Sequence, residues 1–136
     1  MKYLLDTNTC IRFLNGRSKS VRAKLPKLPA ADVAVCSVVR AELFYGAAKS
    51  QTPEISRRRQ ERFLAPYATL PFDDAAAKVY AEIRAYLERI GRTIGPLDMQ
   101  IAAIAVTHDL TLVTHNVGEF SRVPGLFLED WEDNLD

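Results

Sequence analysis

The chain has 136 residues, of which 48% are hydrophobic and 26% charged, and its formal net charge is +1. This balance excludes a disordered chain, which needs low hydrophobicity and high net charge. It also excludes a basic field spread over the whole surface. No apolar run approaches the roughly 20 residues of a membrane helix, and the N-terminus becomes polar too early for a signal peptide. We therefore expect one domain over residues 1–136, located in the cytoplasm.

The first half of the chain predicts two short buried strands, each followed by a helix. Apolar runs of three or four residues that end abruptly indicate strands, and Gly16 after an amphipathic stretch is typical of a helix C-terminus. Ser37 is a predicted N-cap. In chain order we predict a strand at 3–5, a helix at 7–15, a short helix at 21–28, a strand at 33–36, a helix at 37–50 and a polar helix at 54–67.

The second half continues the alternation of strands and helices. Residues 70–72 suggest an edge strand, because Pro71 cannot donate to a ladder. Asp73 or Asp74 caps an amphipathic helix that Gly91 ends, and Pro96 opens a nearly apolar helix to residue 108. Short strands follow at 110–114 and 126–128, before an acidic tail at 129–136 that is most simply a solubilising end. This order predicts an α/β fold with a mostly parallel sheet.

Three acidic residues stand in apolar surroundings. Asp6 closes the first strand, and ligands of parallel sheets bind beyond the carboxyl ends of their strands. Glu42 shares a largely apolar helix face, so we expect it to point inward or into a cleft. Asp98 lies in the first turn of the apolar helix, where the helix dipole stabilises an anion.

Each acid alone has an ordinary explanation: Asp6 as a helix cap, Asp98 as a first-turn acid and Glu42 as a half-exposed surface residue. Together they are harder to explain, because partly buried acids without cationic partners are costly and rare. A divalent cation compensates such a group, and oxygen-only ligands select hard ions such as Mg²⁺ or Mn²⁺. The two cysteines, Cys10 and Cys36, lack a C-x-x-C partner and are interpreted as reduced core residues.

The chain resembles the PIN-domain ribonucleases, specifically the VapC toxin branch of toxin–antitoxin pairs, over essentially its whole length. Five blocks carry the resemblance in order. They are residues 5–8, residues 37–47, residues 94–102, residues 112–116 with Glu119-Phe120, and residues 123–126 through 129–131.

The resemblance implies a three-layer α/β/α sandwich with a mostly parallel central sheet of four to five short strands. It also implies that Asp6, Glu42 and Asp98 are catalytic acids that bind Mg²⁺ or Mn²⁺. Many PIN domains have a further Asp directly after the fourth strand, where this chain has Asn116. Glu119 resembles the acid that some VapC toxins supply instead, so we predict it as the fourth catalytic and metal-binding residue.

The implied activity is metal-dependent hydrolysis of RNA phosphodiester bonds, with structured RNA such as a transfer RNA anticodon loop as the substrate. The implied partners are a VapB-type antitoxin, in a hetero-oligomer, and a second copy of the chain in a homodimer. Predicted polar supports of the acids are Thr7, Asn8, Ser37, Thr114 and Asn116. Predicted weaker RNA contacts are Arg40, His115, Arg57, Arg58 and Arg62.

Three other functions stay open. The pair His108 and His115 suits metal-independent cleavage by general acid–base catalysis. An aspartyl-phosphate phosphatase also begins with an apolar strand that ends in Asp, but its D-x-D motif is interrupted here by Asn8. A catalytically degenerate RNA- or protein-binding module is the third alternative, and Asn116 is the residue that favours it.

Overall fold

The computed structural model describes residues 1–132. Its strands are β1 (Tyr3–Leu5), β2 (Val33–Cys36), β3 (Ala68–Leu70), β4 (Thr111–Val113) and β5 (Leu128–Glu129). Its helices are α1 (Thr7–Asn15), α2 (Lys19–Lys24), α3 (Ser37–Ala48), α4 (Pro53–Leu64), α5 (Asp74–Arg89), α6 (Pro96–Thr107) and α7 (Val117–Phe120). The last four residues of the predicted acidic tail lie outside the described part.

The sheet has five parallel strands in the order β3-β2-β1-β4-β5. In its centre Leu4 pairs with Ala34 on one side and with Leu112 on the other, and all three are fully buried. Because every strand runs in the same direction, the residues that follow β1, β2 and β4 emerge at one edge of the sheet.

Helices cover both faces of this sheet, so the predicted three-layer α/β/α sandwich is confirmed. Both faces of β2 are buried, as expected for a strand inside a parallel sheet. Helix α6 is the most apolar of the long helices and buries Met99 and Ile101 to Ala105. In the described part of the chain, no helix combines the length and the apolarity that membrane crossing requires.

Local signals account for most of the helix ends. Gly16 adopts a left-handed conformation (φ 69°) and closes α1, and the Asp73 carboxylate accepts a hydrogen bond from the Ala76 N–H (3.0 Å) at the start of α5. Helix α2 starts earlier than predicted because Ser18 caps it through the Val21 N–H.

Other predicted boundaries were wrong by a few residues. Strand β3 ends at Leu70 rather than beginning there, since Pro71 cannot extend the ladder. Helix α3 begins at Ser37 itself, which is therefore not an N-cap, and Cys36 holds that position without a side-chain bond. The four-residue helix α7 was not predicted, because it is too short to show a hydrophobic period.

Candidate active site

The four predicted acids lie on segments that follow three neighbouring strands or begin a helix beside them. Asp6 directly follows β1, Glu42 lies in the helix after β2, and Glu119 lies in the short helix after β4. Asp98 stands in the first turn of α6, which packs against both α3 and β4. The sheet topology therefore gathers side chains that are up to 113 positions apart in the sequence (6 to 119).

Asp6 is the most buried of these acids, with 4% of its surface exposed. Its Oδ1 accepts the Thr9 N–H at 2.8 Å, so the carboxylate does cap α1. Burial raises the pKa of Asp6 above its ordinary value, against hydrogen bonds from Thr114 and Thr9 that lower it, while the negative charge of Glu42 raises it further. The Asp6 carboxylate therefore caps α1 and is also the group that we predict to act in the site.

Glu42 is half-buried, and a hydroxyl from the first turn of α1 orients it. The Thr7 Oγ1 donates a hydrogen bond to Glu42 Oε1 at 2.7 Å. Thr7 is the residue after Asp6 and the first residue of α1. The beginning of α1 therefore positions one acid through the helix cap and a second acid through a side-chain hydrogen bond.

The pKa of Asp98 shows the influence of the other three acids. This pKa is raised to about 6, first by partial burial and then by the negative charges of Glu42, Asp6 and Glu119. The negative charges of three other acids therefore act on this carboxylate, and a nearby cation would offset them.

Within residues 1–132, no basic side chain forms a salt bridge with any of these four acids. The salt bridges of that range involve other acids, namely Asp32, Glu132, Glu129, Glu61, Glu88 and Asp130. The acids also keep some distance from one another: over the same residues, no three Asp, Glu, His or Cys groups lie close enough to enclose a metal ion. Asp6 instead bonds to Thr9, and Glu42 to Thr7.

The donor set nevertheless fits a hard cation. Its members are carboxylates and nearby hydroxyls, which are the oxygen ligands of Mg²⁺ and Mn²⁺. Mutual repulsion between like charges favours the spread of the carboxylates. That Asp6, Glu42, Asp98 and Glu119 act together as ligands stays a prediction.

Two predicted polar supports lie beside the acids. Thr114 is fully buried, bonds to the Asp6 carboxylate and accepts the Asn116 N–H at 3.0 Å. Asn116 precedes α7 and makes no side-chain cap bond there. These contacts fix the turn after β4, from which Glu119 follows.

Asn8 and Ser37 lie with Thr7 and Glu42 in a cleft of about 690 Å³ beside the acids. The Ser37 hydroxyl donates to the Leu70 carbonyl at 3.3 Å, so it faces strand β3 as well as the cleft. Apolar side chains also line the cleft, including the exposed Tyr45.

Thr9 is a supporting residue that the sequence interpretation missed. Its N–H bonds to Asp6, and its hydroxyl donates to the Val113 carbonyl at 3.2 Å, which joins α1 to β4. The signal that could have found it is the capping spacing, since a cap carboxylate bonds to the N–H three residues later.

The predicted basic contacts are scattered rather than grouped around the acids. Arg40 lies over the Phe44 ring and approaches Thr69 on the edge strand. Arg57 pairs with Glu61 one turn along α4. Arg58 is exposed, and Arg62 lines the hollow beside Phe13 and Phe63.

The two histidines are poorly placed for a joint catalytic role. The His115 Nδ1 bonds to Asp130 at 2.9 Å. His108 caps the C-terminal end of α6, ten residues beyond Asp98 and so roughly 15 Å along the helix axis. The geometry therefore separates His108 from the acid cluster.

A parallel sheet in this order, with acids at the carboxyl ends of β1, β2 and β4, defines a PIN domain. The PIN domain family matches residues 3–126, and the chain belongs to that family, as the resemblance predicted. Within it the chain belongs to the VapC group. It is 43% identical over 131 residues to the tRNA(fMet)-specific endonuclease VapC of Shigella flexneri, covering 96% of this chain and 98% of that protein.

Solved structures of two relatives have the same fold. A chain of DNA-bound VapBC from Salmonella typhimurium superposes with a TM-score of 0.91 and 38% identity, covering 96% of this chain and 98% of the other. A chain of VapBC2 from Rickettsia felis, bound to a DNA fragment from its promoter, superposes with a TM-score of 0.90 and 36% identity. The match covers 97% of this chain and 100% of the other.

Proposed function

We propose that this chain is the toxin of a type II toxin–antitoxin system and a Mg²⁺- or Mn²⁺-dependent endoribonuclease. One observation carries the proposal: four acids from four segments stand on the same side of the sheet, after β1, β2 and β4 and at the start of α6, and within residues 1–132 no basic side chain pairs with them. Such a cluster costs folding free energy, and a bound divalent ion recovers that cost. Membership of the VapC group supports the same conclusion.

Each acid has a role that follows from its position. Asp6 and Asp98 would hold the ion, and Glu42 and Glu119 would complete its ligand set. A divalent ion at this position would activate a water molecule for phosphodiester hydrolysis. Thr7 fixes the direction of Glu42, and Thr114 does the same for Asp6. No side-chain nucleophile is required.

The partners and the substrate follow from the relatives. The Shigella flexneri protein is named for tRNA(fMet), which supports structured RNA, such as a transfer RNA anticodon loop, as the substrate. The Salmonella and Rickettsia structures are VapBC complexes, which supports a VapB-type antitoxin and a hetero-oligomer. We extend the proposal to a homodimer and to a cytoplasmic location.

The presence of carboxylates at residues 6, 42, 98 and 119 favours an enzyme over a degenerate binding module. Asn116 is the feature on which the degenerate alternative depended, and Glu119 supplies a carboxylate three residues further along the chain. The phosphatase alternative lacks its second acid, since residue 8 is asparagine.

Chelation tests the proposal. We expect the purified protein to cleave a transfer RNA pool with Mn²⁺ or Mg²⁺, to lose that activity completely in excess EDTA, and to recover it when Mn²⁺ is restored. Gel analysis of the RNA measures cleavage, and calorimetric titration with Mn²⁺ measures binding of the ion. Cleavage that resists EDTA would support the histidines instead, and absence of both cleavage and Mn²⁺ binding would identify a degenerate module.

A second prediction concerns the hydrogen bond between Thr7 and Glu42. In Thr7→Val the hydroxyl is lost and the shape is nearly kept, so Glu42 is no longer held in one direction. We expect apparent Mn²⁺ affinity, from the rise of melting temperature with added Mn²⁺, to fall by about tenfold, since orienting groups of ligands typically contribute that much. Thr7→Ser keeps the donor and should retain the affinity; equal losses in both variants would show that the hydroxyl has no such role.

A further inference from the structure

One face of α1 forms the floor of three adjoining hollows. Thr7, Ile11 and Leu14 recur at helical spacing on that face. The cleft beside Glu42 includes Thr7 and Ile11, the next hollow includes Ile11 and Leu14, and the third includes Leu14 with the Phe13 ring. Shared lining residues join them into one path, which we call the α1 groove. The groove begins at Glu42, one of the four acids, and runs toward the C-terminal end of α1.

Three arginines surround the far end of this groove. Arg22 from α2 and Arg59 and Arg62 from α4 line a hollow of about 300 Å³ together with Phe13 and Phe63. We call these three side chains the arginine end. In the part of the chain that the structure describes, no acidic residue lines the hollow and none of the three arginines forms a salt bridge.

Aromatic rings hold the arginine end in place. The Arg22 guanidinium lies 5.4 Å from the centre of the Phe13 ring, and that ring lies 5.1 Å from Phe63. The Arg59 Nη2 donates to the Leu14 carbonyl at 2.9 Å. Unbalanced guanidinium groups next to flat aromatic faces are the chemistry that binds phosphates and stacked bases of single strands.

The distance from the acids matches a short RNA segment. From Thr7 to Leu14 the helix advances seven residues, or roughly 10 Å. At the rise of about 3.4 Å per nucleotide along a stacked strand, the groove spans about three nucleotides. A strand whose phosphate lies at the acids therefore reaches the arginine end with a phosphate a few nucleotides away.

We propose that the arginine end, formed by Arg22, Arg59 and Arg62, binds backbone phosphates of single-stranded RNA a few nucleotides from the bond that is cut. The inference rests on the proposed function, since it takes the strand at the acid cluster to be the substrate. An acidic protein segment could also bind to the three arginines, because its carboxylates would pair with their guanidinium groups. However, the α1 groove ends at the Glu42 carboxylate, which repels such a segment, whereas RNA would meet this carboxylate through a divalent ion.

Binding without cleavage tests the site directly. A short fluorescent single-stranded oligoribonucleotide is titrated in EDTA, with fluorescence anisotropy as the readout, against wild type, Arg22→Gln, Arg62→Gln and the double variant. We expect each substitution to weaken binding by about tenfold. In the double variant the slope of log affinity against log salt falls by about 1.4, because each single-strand phosphate contact contributes about 0.7.

Arg84→Gln is the matched control. Arg84 is an exposed arginine of helix α5 that pairs with Glu88 one turn along that helix, and it lines none of the three hollows of the α1 groove. We expect it to bind RNA like wild type, and Arg62→Lys to recover part of the lost affinity. Melting temperatures identify any variant whose fold is altered, and Arg59→Gln serves as a replacement for such a variant.

Cleavage with Mn²⁺ separates this inference from the proposed function. We expect KM to rise and kcat to stay unchanged in the double variant. Wild-type RNA affinity with an unchanged salt slope in that variant would overturn the inference, as would RNA affinity that is retained while binding of a poly-glutamate peptide is lost. If wild type binds RNA through the arginine end but cuts nothing with metal, the proposed activity fails and the binding site stands.

Discussion

Replacing Asp98 with asparagine is expected to reduce RNA cleavage by about a thousandfold while making the metal-free protein more stable near neutral pH. The loss of activity follows from removing one charged ligand of the proposed ion, an effect comparable to losing a principal electrostatic group of an active site. The gain in stability follows from removing a carboxylate that three neighbours repel.

The pH dependence of this gain has a definite sign. The pKa of Asp98 is about 6 in the folded chain and 3.8 in the absence of burial and neighbours. The folded state therefore binds the proton more tightly, and Asp98 lowers the free energy of unfolding as the pH rises from about 4 to about 6 and beyond. Because the side chain is half-exposed, solvent screening reduces the penalty to roughly 1 kcal/mol at pH 7.

Urea denaturation of wild type and Asp98→Asn at pH 4 and pH 7.5, in EDTA, measures this difference, and the RNA assay measures activity. Asp74→Asn is the control, because Asp74 is also an acid in the first turn of a helix but is exposed and belongs to a different helix, α5. We expect it to keep full activity and to gain no stability. An Asp98→Asn variant with wild-type cleavage would refute the assignment of this acid.

Replacing Trp131 with alanine is expected to lower the free energy of unfolding by about 3 to 5 kcal/mol. The indole is 5% exposed and packs edge-on against Tyr3 at 5.2 Å, with the Lys24 ammonium 5.1 Å from its ring. Its Nε1 donates to Glu129 at 3.0 Å, and its backbone carbonyl accepts a hydrogen bond from Ser20. The side chain thus fastens the end of β5 to β1 and α2.

The loss is a large part of the roughly 5 to 15 kcal/mol that stabilises a typical domain. We also expect the substitution to disturb the acids. The Thr114 N–H bonds to the Glu129 carbonyl at 2.9 Å, and Thr114 in turn bonds to Asp6. Guanidinium denaturation measures the change. Phe127→Ala is the control, since that ring is 64% exposed and its loss should cost less than about 0.5 kcal/mol. Similar losses in both variants would contradict the role assigned to Trp131.

The fold was predictable from short-range signals. Gly16 and Asp73 mark helix ends through backbone conformation and capping, and these effects need no tertiary information. The stretch after Pro96 indicated a buried helix because it is almost wholly apolar, which is also visible without tertiary information. Boundaries failed where one residue decides them, as at Pro71, whose missing N–H stops β3.

The site was predictable only in part, because strand ends are visible in a sequence and side-chain directions are not. Asp6 and Glu42 were identifiable from their apolar surroundings. The bond from Thr7 to Glu42 joins residues 35 positions apart and depends on how α1 packs against α3. The arginine end was out of reach as a group, since Arg22 comes from another helix than Arg59 and Arg62 and no sequence spacing relates them.

The start of α1 couples two parts of the molecule mechanically. Asp6 and Thr7 are consecutive, and through them this one turn sets the directions of two carboxylates that belong to different strand ends. The remaining length of the same helix forms the floor of the groove. A molecule bound along α1 would therefore lie against the same helix whose first turn holds both carboxylates in place.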